Sequence, residues 1–316
     1  MIQEPVAHGR IPIALQWMFP TPLLVLMFFA PESPWWLIRK GRLEQAQRSI
    51  ERLGRKSILN GTASETVAMM KRVIDHEVAE GQASYTELFK GTDLRRTAIV
   101  CGVYAAQNLT GNLIANQAVY FFKQAGMGTD TAFALGLITS ALQMIFVMLS
   151  WIMTTYFGRR PLYVWGTFFN VVMLFALGIA ASVGKSTAAS NAQASFGLIV
   201  SVLFTFTAAP VSWVIIGETS AVRLRPMTTG IGRATYYIIE IPCIFLASYM
   251  LNPTSGNLGG KSGYVWGGTA FFCFVMAYFF VPEMKGRSYR EIDIMFRRRI
   301  PARKWKNTVI SPEDDE

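Results

Sequence analysis

Seven stretches of this 316-residue chain, about 12–31, 97–122, 131–156, 162–183, 195–217, 228–251 and 264–282, are mainly apolar. Each provides about the 20 residues that a helix needs to cross a hydrocarbon core roughly 30 Å thick. Lipid offers backbone amides no partners, so each stretch is expected to be helical, whereas a strand barrel would show shorter segments of alternating polarity. Only 16% of residues are charged, and they gather in blocks between the apolar stretches. That distribution excludes an ordinary water-soluble domain. The fold class expected is an all-α membrane protein.

The charge blocks orient the spans, because Lys and Arg near span ends stay on the cytosolic side. Setting aside Arg233, which lies inside a span, one side receives 25 basic residues and the other receives 4, namely Arg10, Lys123, Lys185 and Lys261. The C-terminus is therefore expected in the cytosol and Met1 outside. The formal net charge of +10 follows from this topology, which leaves no basic surface to suggest nucleic acid.

Several functions are excluded by what the spacing lacks. Cys101, Cys243 and Cys273 all fall within spans and His8 and His76 outside them, so the sequence offers no disulfide framework, metal set or catalytic constellation. The expectation is a protein without cofactor that is not an enzyme. Gly259-Gly260-Lys261-Ser262 lacks the first glycine and the preceding strand of a phosphate-binding loop. The sequon Asn60-Gly61-Thr62 falls on the expected cytosolic side, and no cleavable leader is visible.

Between the first two spans, residues 32–96 read as short amphipathic helices. Leu43, Ala46, Ile50 and Leu53 recur at helical spacing, and further helices are expected to open at Thr62 and Ser84, each with a glutamate three residues on. After the last span, Glu283 to Phe296 reads as a helix, followed by the cluster Arg297-Arg298-Arg299, suited to anionic headgroups.

Two spans carry unusual polarity. Gln107, Asn108, Thr110, Asn112, Asn116 and Gln117 share span 97–122 with Gly102 and Gly111. Amides at this depth must face another helix or a watery cavity. As donors and acceptors together they suit a polyhydroxylated ligand, whose apolar face would stack on aromatic rings, but they serve equally as bonds between helices. In span 228–251, Arg233 and Glu240 stand seven residues apart, two turns along one face. They are expected to pair with each other or with a neighbouring helix, with proton coupling through Glu240 as the alternative.

Five ordered motifs carry a family resemblance. They are Pro31-Glu32-Ser33-Pro34-Trp35-Trp36-Leu37, Gln107-Asn108-Leu109-Thr110-Gly111, Phe157-Gly158-Arg159-Arg160-Pro161, Pro210-Val211-Ser212-Trp213 with Glu218, Arg223 and Arg225, and Pro282-Glu283-Met284-Lys285-Gly286. Together they resemble the sugar porters of the major facilitator superfamily. Ala30 to Arg42, Leu251-Asn252-Pro253-Thr254 and Arg299-Ile300-Pro301-Ala302-Arg303 look most like fungal maltose-type α-glucoside permeases.

In that family the first of these motifs closes the sixth of twelve spans, and here it closes the first. The resemblance therefore implies spans six to twelve of a sugar:proton symporter: residues 1–31 as an extracellular start and sixth span, 32–96 as cytosolic linker helices, 97–282 as the C-terminal six-span bundle and 283–316 as a cytosolic tail. It implies a plasma-membrane protein taking up an α-glucoside such as maltose by alternating access, with an N-terminal half or a complementing protomer as partner. The alternatives are a hexose transporter of the same family, a non-transporting truncated product or a sugar sensor.

The resemblance also assigns roles. Gln107, Asn108, Asn112, Tyr120, Gln143, Trp213, Tyr236 and Tyr237 fall at sugar-contact positions, although Trp213 could equally be an interfacial belt residue. Glu32, Arg159, Arg160, Glu218, Arg223, Arg225 and Glu283 fall in the charge network of the cytosolic gate. Glu218 is expected to accept from Arg159 or Arg160, while Glu32 and Glu283 answer arginines of the other half. Thr155, Leu113 and Thr205 depart from the pattern.

Overall fold

The computed structural model describes residues 13–54, 63–79, 84–111, 114, 116–184, 186–308 and 310. All regular structure among them is helical. The chain divides into two compact units, Met1–Gln82 and Ala83–Glu316.

In the first unit, helix α1 (Pro20–Phe29) continues an apolar run from Ile13 and buries none of its residues. This is the surface expected of a helix that meets lipid. Pro34 opens α2 (Pro34–Arg39) at the position where a missing N–H costs nothing. Helix α3 (Leu43–Leu53) follows Gly41, whose φ of +76° turns the chain. With α4 (Ala63–Ala79) these helices bury Leu37, Ile38, Ala46, Ile50, Val67 and Ile74. The apolar stripe is narrower than its spacing suggested, because Leu43 and Leu53 are 37% and 60% exposed. The Arg52 guanidinium donates to Phe29 O at 3.1 Å, satisfying a carbonyl left open at the end of α1. Thr62 and the sequon at Asn60 lie outside the described residues.

The second unit begins with a single 3₁₀ turn (Glu87–Phe89) where a capped helix was expected at Ser84. The Glu87 carboxylate pairs with Arg223 instead of capping its own helix. Helices α5 (Gly91–Leu109), α6 (Ala118–Gln124), α7 (Thr129–Tyr156), α8 (Arg159–Ser182), α9 (Thr187–Phe206), α10 (Ala208–Thr219), α11 (Arg225–Leu251) and α12 (Ser262–Phe280) follow. Among the described residues, five helical segments are long and apolar enough to cross a membrane: α7, α8, α9 running on into α10 through a bend at Thr207, α11, and α12 with the turn before it.

The uninterrupted span expected over 97–122 is instead broken. Helix α5 stops at Leu109, and Gly111 takes a φ of +81°, a left-handed conformation that favours glycine. A Cβ there would also sit 2.9 Å from Leu174 Cδ2. The break frees carbonyls that lipid could not satisfy. Side chains of other helices take them: Thr269 Oγ1 donates to Leu109 O at 2.6 Å, and Asn170 Nδ2 donates to Thr110 O at 2.7 Å.

Beyond α12 the tail is folded against the bundle. The helix expected from Glu283 begins only at Tyr289, as α13 (Tyr289–Arg297), because Glu283 and Lys285 are engaged elsewhere. Ser288 and Glu291 form a reciprocal cap, and hydrogen bonds from the Ser288 backbone, then from its hydroxyl and from Arg287, hold the Glu291 carboxyl below its usual range. The cap's contribution is therefore present above the ordinary carboxylate pKa and fades as pH falls through the lowered one. A final turn (Ala302–Asn307) places Trp305, fully buried, 4.9 Å from the Phe296 ring. Arg287 Nη2 donates to Trp305 O at 3.0 Å and Thr308 O at 2.6 Å, and Arg96 pairs with Asp293 while lying 4.5 Å over Phe296.

Trp305→Ala is expected to cost about 3–5 kcal/mol, as for other large buried aromatics. Thermal unfolding of the detergent-solubilised protein, followed by circular dichroism, measures this. Limited proteolysis should cut the variant's tail first, and an unchanged midpoint would show that the tail is not packed.

Candidate functional site

Two clusters of polar and charged side chains lie in the second unit, one within the spans and one at the tail side. The first is built where α5, α10 and α11 meet. Gly232 lets α11 approach α5 closely, since a Cβ there would lie 2.5 Å from the Tyr104 ring. One turn further along each helix, Asn108 Nδ2 donates to Tyr236 O at 3.2 Å. This contact, with Asn108 buried, fixes the height of Tyr236 against α5. Tyr104 meets Trp213 edge-on at 5.9 Å and Tyr236 at 6.4 Å.

Arg233 lies over these rings, 4.5 Å from Tyr236, 4.9 Å from Tyr237 and 5.8 Å from Trp213, and donates to Tyr237 Oη at 3.2 Å. The aromatic faces supply negative charge density to a cation that would be costly at this depth. Tyr236 Oη donates to Glu240 Oε1 at 3.2 Å. The expected Arg233–Glu240 pair does not form: each turns to a tyrosine on its own helix, because a residue four positions away lies closer than one seven away. Trp213 and Tyr237 stay about half exposed, and Gln107, almost buried, has an amide Nε2 with no partner. The result is an aromatic surface with a cation and a carboxylate, and beside Asn108 on α5 a buried amide nitrogen without a partner.

The second cluster forms at the start of α8. The Glu283 carboxylate accepts from Arg159 N at 3.0 Å, Arg160 N at 3.3 Å and Lys285 N at 3.0 Å. It thereby meets the first N–H groups and the positive end of a 24-residue helix. A Cβ on Gly158 would overlap this carboxylate, so glycine is required at that position for steric reasons. Arg159 bonds Glu218 through Nη2 at 2.9 Å and Nε at 3.3 Å. Arg160 turns away and donates to Tyr278 O at 2.9 Å. Lys285 Nζ reaches Tyr156 O at 2.7 Å, closing the C-terminus of α7. Arg225 lies 4.7 Å over Tyr289, with its buried Nε and Nη2 unbonded.

Of the residues singled out from sequence, Asn108, Trp213, Arg233, Tyr236, Tyr237 and Glu240 come together, with Gln107 next to Asn108 on α5. Tyr120, 40% exposed on α6, and Gln143, partly exposed on α7, make no side-chain hydrogen bond to them. Glu32 is exposed in the first unit. Asn112 lies outside the described residues. Tyr104, Asn170 and Thr269 were missed. Asn170 had a legible signal as a lone amide in an apolar span, whereas a tyrosine or threonine in a helix is too common to be noticed.

The family model for sugar (and other) transporters matches residues 6–296. The general alpha-glucoside permease of Saccharomyces cerevisiae is 34% identical over 312 residues, covering 96% of this chain and 50% of the relative. Maltose permease MAL31 of the same yeast is 35% identical over 314 residues, again covering 96% and 50%. The chain thus spans about half the length of the curated relatives it matches. Among solved structures, the proton:xylose symporter XylE bound to 6-bromo-6-deoxy-D-glucose superposes with a TM-score of 0.66 at 24% identity, over 86% of this chain and 56% of that one. Inward-open XylE from E. coli gives 0.61 at 20% identity, over 86% and 53%. At this identity the likeness establishes the fold alone.

Gly158→Ala is expected to destabilise the protein by about 1–3 kcal/mol through overlap with Glu283. In a Glu283→Ala background the same change should cost only tenths of a kcal/mol. Equal costs in the two backgrounds, read from thermal unfolding, would exclude the contact.

Proposed function

Because this chain belongs to the family of sugar (and other) transporters, we propose that its second unit forms one wall of a sugar pathway and takes part in proton-coupled uptake of an α-glucoside such as maltose. The observation that carries this reading is the surface at α5, α10 and α11. Half-exposed aromatic rings offer the stacking face that a sugar needs, and Gln107, whose buried Nε2 has no partner, supplies a donor that lipid could not satisfy. Asn108 acts by positioning Tyr236, and Trp213, Tyr236 and Tyr237 bear on the ring faces of the sugar. The α-glucoside subclass is supported by the likeness to the permeases named above, and proton coupling by the resemblance of the motifs to sugar:proton symporters.

Alternating access needs a second wall that rocks against this one. It comes from outside the described residues, as the other half of a longer chain or as a complementing protomer. Glu218, Arg159, Arg160, Arg223, Arg225 and Glu283 form the gate charges of the second unit, and Glu32 of the first unit takes the same role by its motif. Arg225, with two unbonded buried nitrogens, is the one most in need of an acid from the opposite wall. The tail and residues 32–96 are cytosolic, and the loop before α9 is external. A cysteine at Ala188, an exposed position in the first turn of α9, should react with an impermeant maleimide in intact cells once the three native cysteines are replaced. A cysteine at Lys304 should react only after permeabilisation, and the reverse pattern would invert the topology.

Transport is tested in a yeast lacking its own sugar carriers, with labelled maltose and glucose. The 316 residues alone should give no saturable uptake, whereas fusion to the first half of the general alpha-glucoside permease should restore uptake of maltose. In the fusion, Gln107→Ala should weaken apparent affinity about tenfold, as for one lost hydrogen bond in a buried site. Uptake by the chain alone would overturn the need for a second wall, and unchanged affinity at normal surface levels would remove Gln107 from the site.

A further inference from the structure

A cavity of about 540 Å³ lies on the tail side of the second unit, and the transport reading does not use it. Its apolar walls are Leu94, Ala98 and Ile99 of α5, Met276 and Phe280 of α12, and Phe296 of α13. Phe280 ends a helix of membrane-crossing character, and Leu94 lies in the first turn of α5. The cavity therefore sits at the level where hydrocarbon gives way to headgroups.

Its mouth is positive. Arg95 and Arg299 line it together with these apolar groups, and among the described residues no acidic one does. Arg95 is anchored by a 3.1 Å bond from Nη1 to Ile300 O. Arg299, exposed and carried on a left-handed turn with φ of +52°, donates its backbone N–H to Phe296 O, while its guanidinium makes no hydrogen bond or ion pair among the described residues. Arg303, stacked 4.4 Å over Tyr278 and Phe279, adds a cation near the same end of α12. The nearby acids Asp93 and Asp293 are both held by Arg96 and do not neutralise this mouth.

An apolar slot at the membrane interface with unneutralised guanidinium groups at its opening complements one kind of molecule: acyl chain below, negative charge above. The volume falls within the range of small-molecule sites. We propose that this cavity binds an anionic glycerophospholipid of the leaflet facing the tail, with a chain between α5 and α12 and its phosphate at Arg95 and Arg299. The bound lipid bridges the first span of the unit, its last span and the folded tail. The proposal needs the chain in a membrane but not the sugar reading, so the two stand or fall separately.

Native mass spectrometry of the full chain, released from micelles doped with phosphatidylserine or with phosphatidylcholine, tests it. One phosphatidylserine should remain bound per chain, with phosphatidylcholine retained at least about fivefold less. Soluble glycerophosphoserine, which has the charge but no chain, should not bind. Arg299→Gln should lower phosphatidylserine retention about fivefold, the effect of one basic residue near anionic headgroups. Ala98→Phe, which fills the slot from an exposed position, should abolish it. Equal retention of the two lipids, an adduct that survives Ala98→Phe, or equal binding of the headgroup alone would overturn the proposal.

Discussion

The Glu283 carboxylate, seated on the first turn of α8, organises the tail side of this protein. One side chain from just beyond the last span satisfies backbone N–H groups at Arg159 and Arg160, and its neighbour Lys285 closes the end of α7. Opposite charges thus sit where the dipoles of two successive helices need them. The contact is possible only because Gly158 has no Cβ. With the α8 terminus held in this way, the Arg159 side chain is left to reach Glu218 and tie in α10. The glycine and the two arginines of the motif therefore act as a unit: absence of a side chain, backbone donors, and a side-chain donor.

A second constraint acts deeper in the spans. Interrupting α5 at Thr110 and Gly111 exposes carbonyls in a medium that offers no water, and the break persists because Asn170 and Thr269 supply donors from α8 and α12. These two residues stabilise irregular backbone, so a break here is a designed feature rather than a defect. It leaves α6 as a separate short helix beyond the polar stretch. The polar residues of α5 are thus divided, with Gln107 and Asn108 on the continuous helix and Gln117 beyond the break, bonded to Ser248 at 3.4 Å.

Between these constraints lies the aromatic surface. Its charge is managed within α11: Arg233 is satisfied by the faces of Tyr236, Tyr237 and Trp213, and Glu240 by the hydroxyl of Tyr236. Neither charge needs an ion pair to be tolerated. Tyr236 is the common element, holding a cation on its face and a carboxylate at its hydroxyl while its carbonyl accepts from Asn108. A change in how Tyr236 is held would reach all three neighbours.

By itself the sequence determined the helical membrane class, the placement of most spans and the order of the motifs. Lipid leaves a 20-residue apolar stretch no alternative to a helix, and basic blocks cannot be buried. The motifs also marked Arg159, Glu218 and Glu283 as gate charges, but they set Glu283 against arginines of the other half, whereas its carboxylate accepts from the backbone of Arg159 and Arg160. Tertiary structure decided what depends on partners far along the chain. The break at Gly111 rests on residues 60 and 160 positions away from the carbonyls they satisfy. The folded tail rests on Arg96, 197 residues before Asp293. Over Arg233, tertiary packing added Trp213 from α10 to the two tyrosines of its own helix. Local spacing reports which groups must find partners, because desolvation is a property of each residue. Which partners they find is a property of the packing, because the nearest neighbours in space come from helices that the sequence does not place side by side.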